Sequence, residues 1–417
     1  MAFLNLPKYY DLVENDTFEL FFRGIVAASD PYRYNIRIDC ERGAIYRRKY
    51  VYTPTNGDAG TVPMIVSLEN DEGTVLDRKE LELRIHPAAR RTFPKPYNVL
   101  CVGDSLTSGG IWASELYRRL TASDGKPAGL GLNVRFWGNV PGKNGAFHEG
   151  YGGWTFNSFN CDYDSARFWH LRTRHALIPS DQHAMFEDEA GASWRLESID
   201  GDTLKLIYQT GNAAAAPVGA LRWISGGESH TDIPAGETFR ASGNPFWDEA
   251  AERVDFGTWA RKLGCPGIDL ACILLGWNST LTSEEEYFDH VRIFLANLRE
   301  TFPNVKVILM GLQVPSIDGF GASYGCMWNY MDKLRYVFRM DERYAKIAEE
   351  YDWVSSASLA GQFDTEYNMP SAEFPVNVRG TKTEIRGTNG VHPAPEGYLQ
   401  IADAFYRAGM PYWNGEK

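Results

Sequence analysis

The feature that most constrains this chain is a change in its hydrophobic pattern near residue 95. Before that point the apolar residues alternate. "YNIRIDC" sets Tyr34, Ile36, Ile38 and Cys40 on one face, "TVPMIVSL" does the same with Val62, Met64, Val66 and Leu68, and "LELRI" with Leu81, Leu83 and Ile85. A period of two means strands with one buried and one wet face, as in a small antiparallel sandwich. After that point the apolar runs are continuous: "NVLCV", "IDLACILLGW" and "VKVILMGL". Strands of that kind are buried on both faces, as in a parallel sheet covered by helices. The sequence supplies the helices. One carries Ile111, Trp112, Leu116 and Leu120, and another follows Ser283 and Glu286, which have capping-box spacing, with the stripe Phe288, Val291, Leu295 and Leu298. Further helices are expected within 325–351 and through "PEGYLQIADAFYRAG".

These patterns divide the chain. Residues 1–86 read as a β-sandwich, 87–96 as a linker punctuated by Pro87, Pro94 and Pro96, and 97–417 as an α/β domain. A β-rich insertion interrupts the α/β domain at about 160–245, where "SWRLESIDGDTLKLIYQT" has the form of a hairpin. At 417 residues the chain is long enough for two or three domains. Its net charge of -12 argues against a nucleic-acid partner. No apolar run nears the roughly 20 residues that span a bilayer. The N-terminus lacks the pattern of a signal peptide, so the expectation is a cytoplasmic protein, or a secreted one whose export signal has been removed. Cys101 and Cys272 sit inside apolar runs as small buried hydrophobes. With no Cys-x-x-Cys or His-Glu-x-x-His motif, no metal or other cofactor is expected. Nothing in the sequence fixes the oligomeric state.

In open parallel sheets, reactive groups collect at the carboxyl ends of strands. "NVLCVGDSLTSGG" ends its strand at Ser105, and "LLGWNST" ends another at Asn278. His392 sits in "TNGVHPAPEG", just ahead of the last helix, and Gly153 in "HEGYGGW" offers a backbone N–H unscreened by a side chain. Each has an ordinary reading too: a turn, a helix-start histidine, a strand-end asparagine, a glycine turn. Their order is what distinguishes them. Gly-Asp-Ser-Leu, Gly-x-x-Gly, Gly-x-Asn and Val-His-Pro in succession resemble the GDSL or SGNH hydrolase family, over Asn98–Tyr406 and outside the N-terminal β region.

The resemblance implies a three-layer α/β/α sandwich with a parallel sheet and a serine esterase site. In it, Ser105 is the nucleophile and His392 the base. The oxyanion hole is formed by the Ser105 N–H, the Gly153 N–H and the Asn278 amide, with Gly150 the alternative if the glycine block is shifted by three. Some members deacetylate polysaccharides and some carry an added β domain, so carbohydrate deacetylation is the leading expectation. A lipase or thioesterase activity is the alternative, as is a sugar-binding protein without turnover. Trp112, Trp154 and Trp277 fall in or beside the motif blocks and are candidates for stacking on sugar rings, with Trp247 a further one near the end of the insertion. Two positions depart from the family pattern. Asn389 stands where the family has an aspartate three residues before the histidine, and Ser279 follows Asn278 where an aspartate is common. The first leaves open whether Asn389, a backbone carbonyl or another acid such as Glu384 orients His392.

Overall fold

The computed structural model describes residues 2–88, 93–163, 168–210, 215–239, 243–279 and 283–415. It is a mixed α/β protein with several sheets, parallel and antiparallel, and eight α-helices among the described residues. Two compact units are present. One comprises Met1–Asn157 and Ala260–Lys417, the other Ser158–Trp259.

In the first unit, the strands Tyr9–Val13, Val75–His86, Gly60–Glu69 and Asn35–Asp39 lie side by side in that order. Phe18–Phe21, Lys49–Tyr52 and Ala44–Ile45 form a smaller sheet. The alternating residues Ile38, Met64, Val66, Leu68, Leu81, Leu83 and Ile85 are buried in one core with Leu12, Phe18 and Leu20. The turn at "NDEGT" closes on Asn70, whose side chain accepts from the Glu72 and Thr74 amides. One detail differs from the antiparallel expectation: Tyr9–Val13 runs parallel to Val75–His86, with Leu12 opposite Ile85. Alternation records which face is buried and is blind to the neighbour's direction. Of the expected linker at 87–96, residues 89–92 lie outside the described residues.

The second sheet of this unit is built on Tyr97–Gly103. Leu270–Leu274, Lys306–Met310 and Val354–Ala357 follow on one side, all parallel. On the other side Val134–Trp137 pairs with its first half and Phe147–Gly150 with its end, also parallel. Val99 to Val102 and Leu270 to Leu274 are wholly buried, as continuous apolar runs require. Cys101 and Cys272 sit opposite each other there as free, buried thiols. The expected helices are Ile111–Thr121, Glu284–Thr301, Tyr330–Glu350 and Pro395–Trp413. Ser283 caps the second of these, accepting from the Glu286 amide at 3.2 Å.

Residues 1–86 belong to the same compact unit as this sheet, and a buried ionic network joins them. Asp16 receives Arg119 at 2.7 Å and Arg407 at 2.9 Å; Arg119 also reaches Asp403 at 2.5 Å. A second network joins Arg48 to Asp364 and Glu366. Arg119 lies on the helix that follows the Ser105 turn and Arg407 on the helix after His392, so one carboxylate from the N-terminal region holds both.

The second unit contains a six-stranded antiparallel sheet in the order Arg222–Ser225, Met185–Glu187, Ser193–Asp200, Thr203–Thr210, Phe168–Arg172, Glu237–Phe239. The expected hairpin is its centre, with Trp194 opposite Tyr208 and Leu196 opposite Leu206.

Candidate active site

The strand Tyr97–Gly103 must end in glycine: a Cβ at Gly103 would lie 1.9 Å from Thr107 Oγ1 and 2.7 Å from the Leu274 carbonyl. Asp104 then caps the short helix Ser105–Ser108. Its Oδ1 accepts from the Leu106 amide at 3.0 Å, and its backbone carbonyl accepts from Thr107 and Ser108. Ser105 is thereby the first helical residue, its N–H taken by no acceptor among the described residues.

His392 arrives from the far end of the chain. Its Nε2 lies 2.9 Å from Ser105 Oγ across 287 positions of sequence. The loop that carries it is held at several points. Asn389 Oδ1 accepts from the Val391 and His392 amides, both at 2.8 Å. Ser323 donates to Asn389 Oδ1 and accepts from the Gly390 amide. Gln313 donates to the Val391 carbonyl at 2.8 Å, and Pro395 then starts the last helix. Partial burial holds the imidazole pKa below its ordinary value, so the base form dominates at neutral pH.

The chain resembles solved carbohydrate esterases and acetylesterases. It is similar to the Clostridium thermocellum family 3 carbohydrate esterase at 14% identity and a TM-score of 0.37, over 78% of this chain and 99% of that one. It is similar to a family 3 carbohydrate esterase from Talaromyces cellulolyticus at 14% identity and a TM-score of 0.36, over 76% and 99%. A family 2 carbohydrate esterase with a carbohydrate-binding domain from Corynascus thermopiles matches at 10% identity and a TM-score of 0.32, over 100% of this chain and 99% of that one. No family model matches the chain, and no curated protein does.

The remaining site residues fall as follows. The glycine block lies against the end of the strand that leads to Ser105, since the Tyr151 amide donates to the Gly103 carbonyl at 3.0 Å. Gly153 is exposed in a turn at φ +82°, a conformation that favours glycine, and its N–H has no acceptor among the described residues. Gly150 is buried at a strand end. Its N–H is taken by His148 Nδ1 at 3.1 Å, so it has no donor to offer a substrate. Asn278 Nδ2 donates to Asp104 Oδ2 at 3.2 Å and to the Trp154 carbonyl at 3.1 Å, tying three motif blocks together. Burial raises the Asp104 carboxyl to about 7.

Asn389 grips the backbone of its loop, and the imidazole Nδ1 of His392 has no hydrogen-bond partner among the described residues. Glu384 is engaged with Arg386 at 3.0 Å on an exposed hairpin. Ser279 donates its amide to the Gly276 carbonyl.

The tryptophans are corrected in part. Trp112 is not at the surface: it is wholly buried, stacked on Phe405 at 4.6 Å, with Nε1 on Thr107. Proximity to Ser105 in sequence misleads here because the helix Ile111–Thr121 turns that face into the core. Trp154 and Trp277 keep 8% and 6% of their surface exposed, and Trp247 in the second unit is half-buried.

Sequence reading missed the brace behind the glycine turn. Glu149, wholly buried, accepts from Asn139 and from the Tyr151 hydroxyl at 2.6 Å, while Tyr151 stacks on Trp154 at 4.5 Å. The signal in the sequence is an acid, Glu149, set inside an apolar, glycine-rich block.

Proposed function

We propose that this chain is a serine carboxylic-ester hydrolase of the SGNH kind, acting on acetyl esters of carbohydrate. The observation that carries the reading is the 2.9 Å contact between Ser105 Oγ and His392 Nε2 at the carboxyl end of a parallel strand. A hydroxyl and an imidazole at that distance form a nucleophile and its base. Ser105 Oγ attacks the ester carbonyl as its proton passes to His392 Nε2. The oxyanion meets the Ser105 and Gly153 N–H groups, which have no acceptor among the described residues. Asn278 joins as third donor by turning one amide hydrogen from Asp104 or Trp154. His392 then protonates the departing alcohol. Water, deprotonated by His392, cleaves the acyl-enzyme to acid and free Ser105.

In this reading the site is a Ser–His dyad, and Asn389 is a positioning residue that fixes the loop carrying the base. Among the described residues Nδ1 has no hydrogen-bond partner and no carboxylate reaches it, which supports this reading. In serine proteases the corresponding aspartate-to-asparagine change costs about four orders of magnitude through the wrong tautomer. Here Asn389 does not touch the ring, so that tautomer penalty does not apply. The proposed architecture is a three-layer α/β/α hydrolase domain at 97–417, interrupted at about 160–245, with residues 1–86 as a β-sandwich and 87–96 as a linker.

The test is acetate release from peracetylated xylose and from p-nitrophenyl esters of two, four and eight carbons. Release that falls at least tenfold from acetate to octanoate supports an acetylesterase. Octanoate turnover equal to acetate contradicts it and favours the lipase or thioesterase alternative.

A further inference from the structure

The strand Leu270–Leu274 runs on through Leu275 into a turn, Gly276–Ser279, that presents Asn278. The Ser279 amide closes this turn on the Gly276 carbonyl at 3.1 Å, and Gly276 sits at φ +131°, a conformation that favours glycine. Leu275, Gly276 and Trp277 are buried, while Asn278 is exposed. Buried carbonyls beyond the end of a strand have left the sheet ladder and need other donors.

Two of those donors come from one helix, Tyr330–Glu350. The Tyr336 hydroxyl donates to the Gly276 carbonyl, and the Tyr344 hydroxyl to the Leu275 carbonyl at 2.6 Å. Met340 of the same helix closes on Gly276, where a Cβ would lie 2.6 Å from its terminal methyl. Tyr287, on the helix Glu284–Thr301, donates to the Tyr344 hydroxyl at 2.8 Å and so fixes it in turn. Burial raises the pKa of both Tyr336 and Tyr344, which therefore remain hydrogen-bond donors at neutral pH. Toward the site, the turn reaches Asp104 and the Trp154 carbonyl through Asn278 Nδ2.

We propose that Tyr336 and Tyr344 are positioning residues for the oxyanion hole, holding the Gly276–Ser279 turn so that the Asn278 amide meets the developing oxyanion. The proposal rests on the reading of Asn278 as a donor given above, and deepens it. A donor lowers a barrier most when it already stands where the charge will develop. Two hydroxyls on successive carbonyls at the base of one turn supply that fixity. Such bonds also satisfy any buried strand end, so the experiment has to separate positioning from plain stability.

The test is a double-mutant cycle on p-nitrophenyl acetate with Tyr336→Phe and Asn278→Ala, together with hydrogen exchange of residues 275–279 followed by mass spectrometry. Tyr336→Phe should lower kcat about tenfold at an unchanged KM, a part of the roughly 10²–10³ that one oxyanion donor supplies. In the Asn278→Ala background the same change should cost less than about twofold, because both act through one group. Exchange at 275–279 should quicken about tenfold while the rest of the sheet keeps its protection. Tyr344→Phe should act in the same direction. Tyr50→Phe is the stability control: it removes a like bond, to the Arg42 carbonyl at 2.6 Å in the N-terminal region, and should lower Tm while keeping kcat. A kcat loss that persists in full in Asn278→Ala, or that Tyr50→Phe equals, marks a general structural effect and overturns the proposal. So does exchange at 275–279 as slow in Tyr336→Phe as in the wild type. If Asn278→Ala leaves kcat unchanged, the donor reading falls and takes the proposal with it. If Asn278→Ala costs activity and Tyr336→Phe does not, the proposal falls alone. A wild type without turnover sinks the esterase reading; quickened exchange confined to 275–279 then still supports the hold on Asn278, and unchanged exchange overturns it.

Discussion

At the scale of single residues, burial sets the titration of the site. His392 is held below the ordinary histidine value of 6.5 by burial, and among the described residues no carboxylate bonds its ring. The acid limb of kcat/KM is therefore expected to inflect below pH 6.5, read from a pH–rate profile on a soluble acetate ester. Asn389→Asp keeps the acceptor for the Val391 and His392 amides and adds a negative charge near the imidazole. It should move that inflection upward while preserving activity; a downward move would contradict the positioning role. Asp341 offers a stability test. One oxygen accepts from Asn5 and Ser358, the other is enclosed with no partner among the described residues, and burial raises the carboxyl to about 7. The folded state thus holds a proton that the unfolded state has released, and stability from this group falls as pH rises from about 4 through about 7. Asp341→Asn should raise Tm at pH 8 and change it little at pH 4.5, by differential scanning calorimetry. Residue types at the motif blocks were legible in the sequence. The partner of Asn389 was not, because a side chain that can reach a ring nitrogen can equally cap its own loop.

At the scale of elements, the pattern of apolar residues told most of the story. Continuous runs gave the strands at Tyr97–Gly103, Leu270–Leu274 and Lys306–Met310, and the stripes gave four helices. Several elements escaped, among them the strands Val134–Trp137 and Phe147–Gly150 and the helix Ile317–Tyr324, and two further ones show why. Val354–Ala357 is Val-Ser-Ser-Ala, too short and polar to announce a parallel strand. The hairpin at 371–387 has no buried face, so no alternation marks it. Helix direction, too, is invisible in a list of tryptophans, which is why Trp112 reads as a surface candidate and belongs to the core. Trp112→Ala should destabilise by about 3–5 kcal/mol in urea unfolding. Any activity still present under native conditions should keep its KM, since the ring is wholly buried against Phe405 and Thr107.

At the scale of the whole molecule, the N-terminal region and the parallel sheet are welded. Asp16, 6% exposed in its side chain, lies between Arg119 and Arg407, which are 1% and 9% exposed. Removing one carboxylate leaves two buried guanidinium groups short of a partner, a change that costs about 3–5 kcal/mol. Asp16→Ala is expected to lose that much in chemical denaturation, and an unaltered midpoint would contradict the weld. The sequence carries two hydrophobic patterns on either side of a proline-rich stretch. It could not show an ion pair between residues 103 positions apart in one case and 391 in the other, because charge pairing across a fold leaves no period. What joins these scales is one pair of atoms, Ser105 Oγ and His392 Nε2. The most direct measurement is the steady-state hydrolysis of p-nitrophenyl acetate near pH 8, wild type beside a folded Ser105→Ala. A serine nucleophile predicts clear turnover in the wild type and a loss of at least about three orders of magnitude in the variant. Equal rates in the two proteins, or no turnover in either, would contradict it.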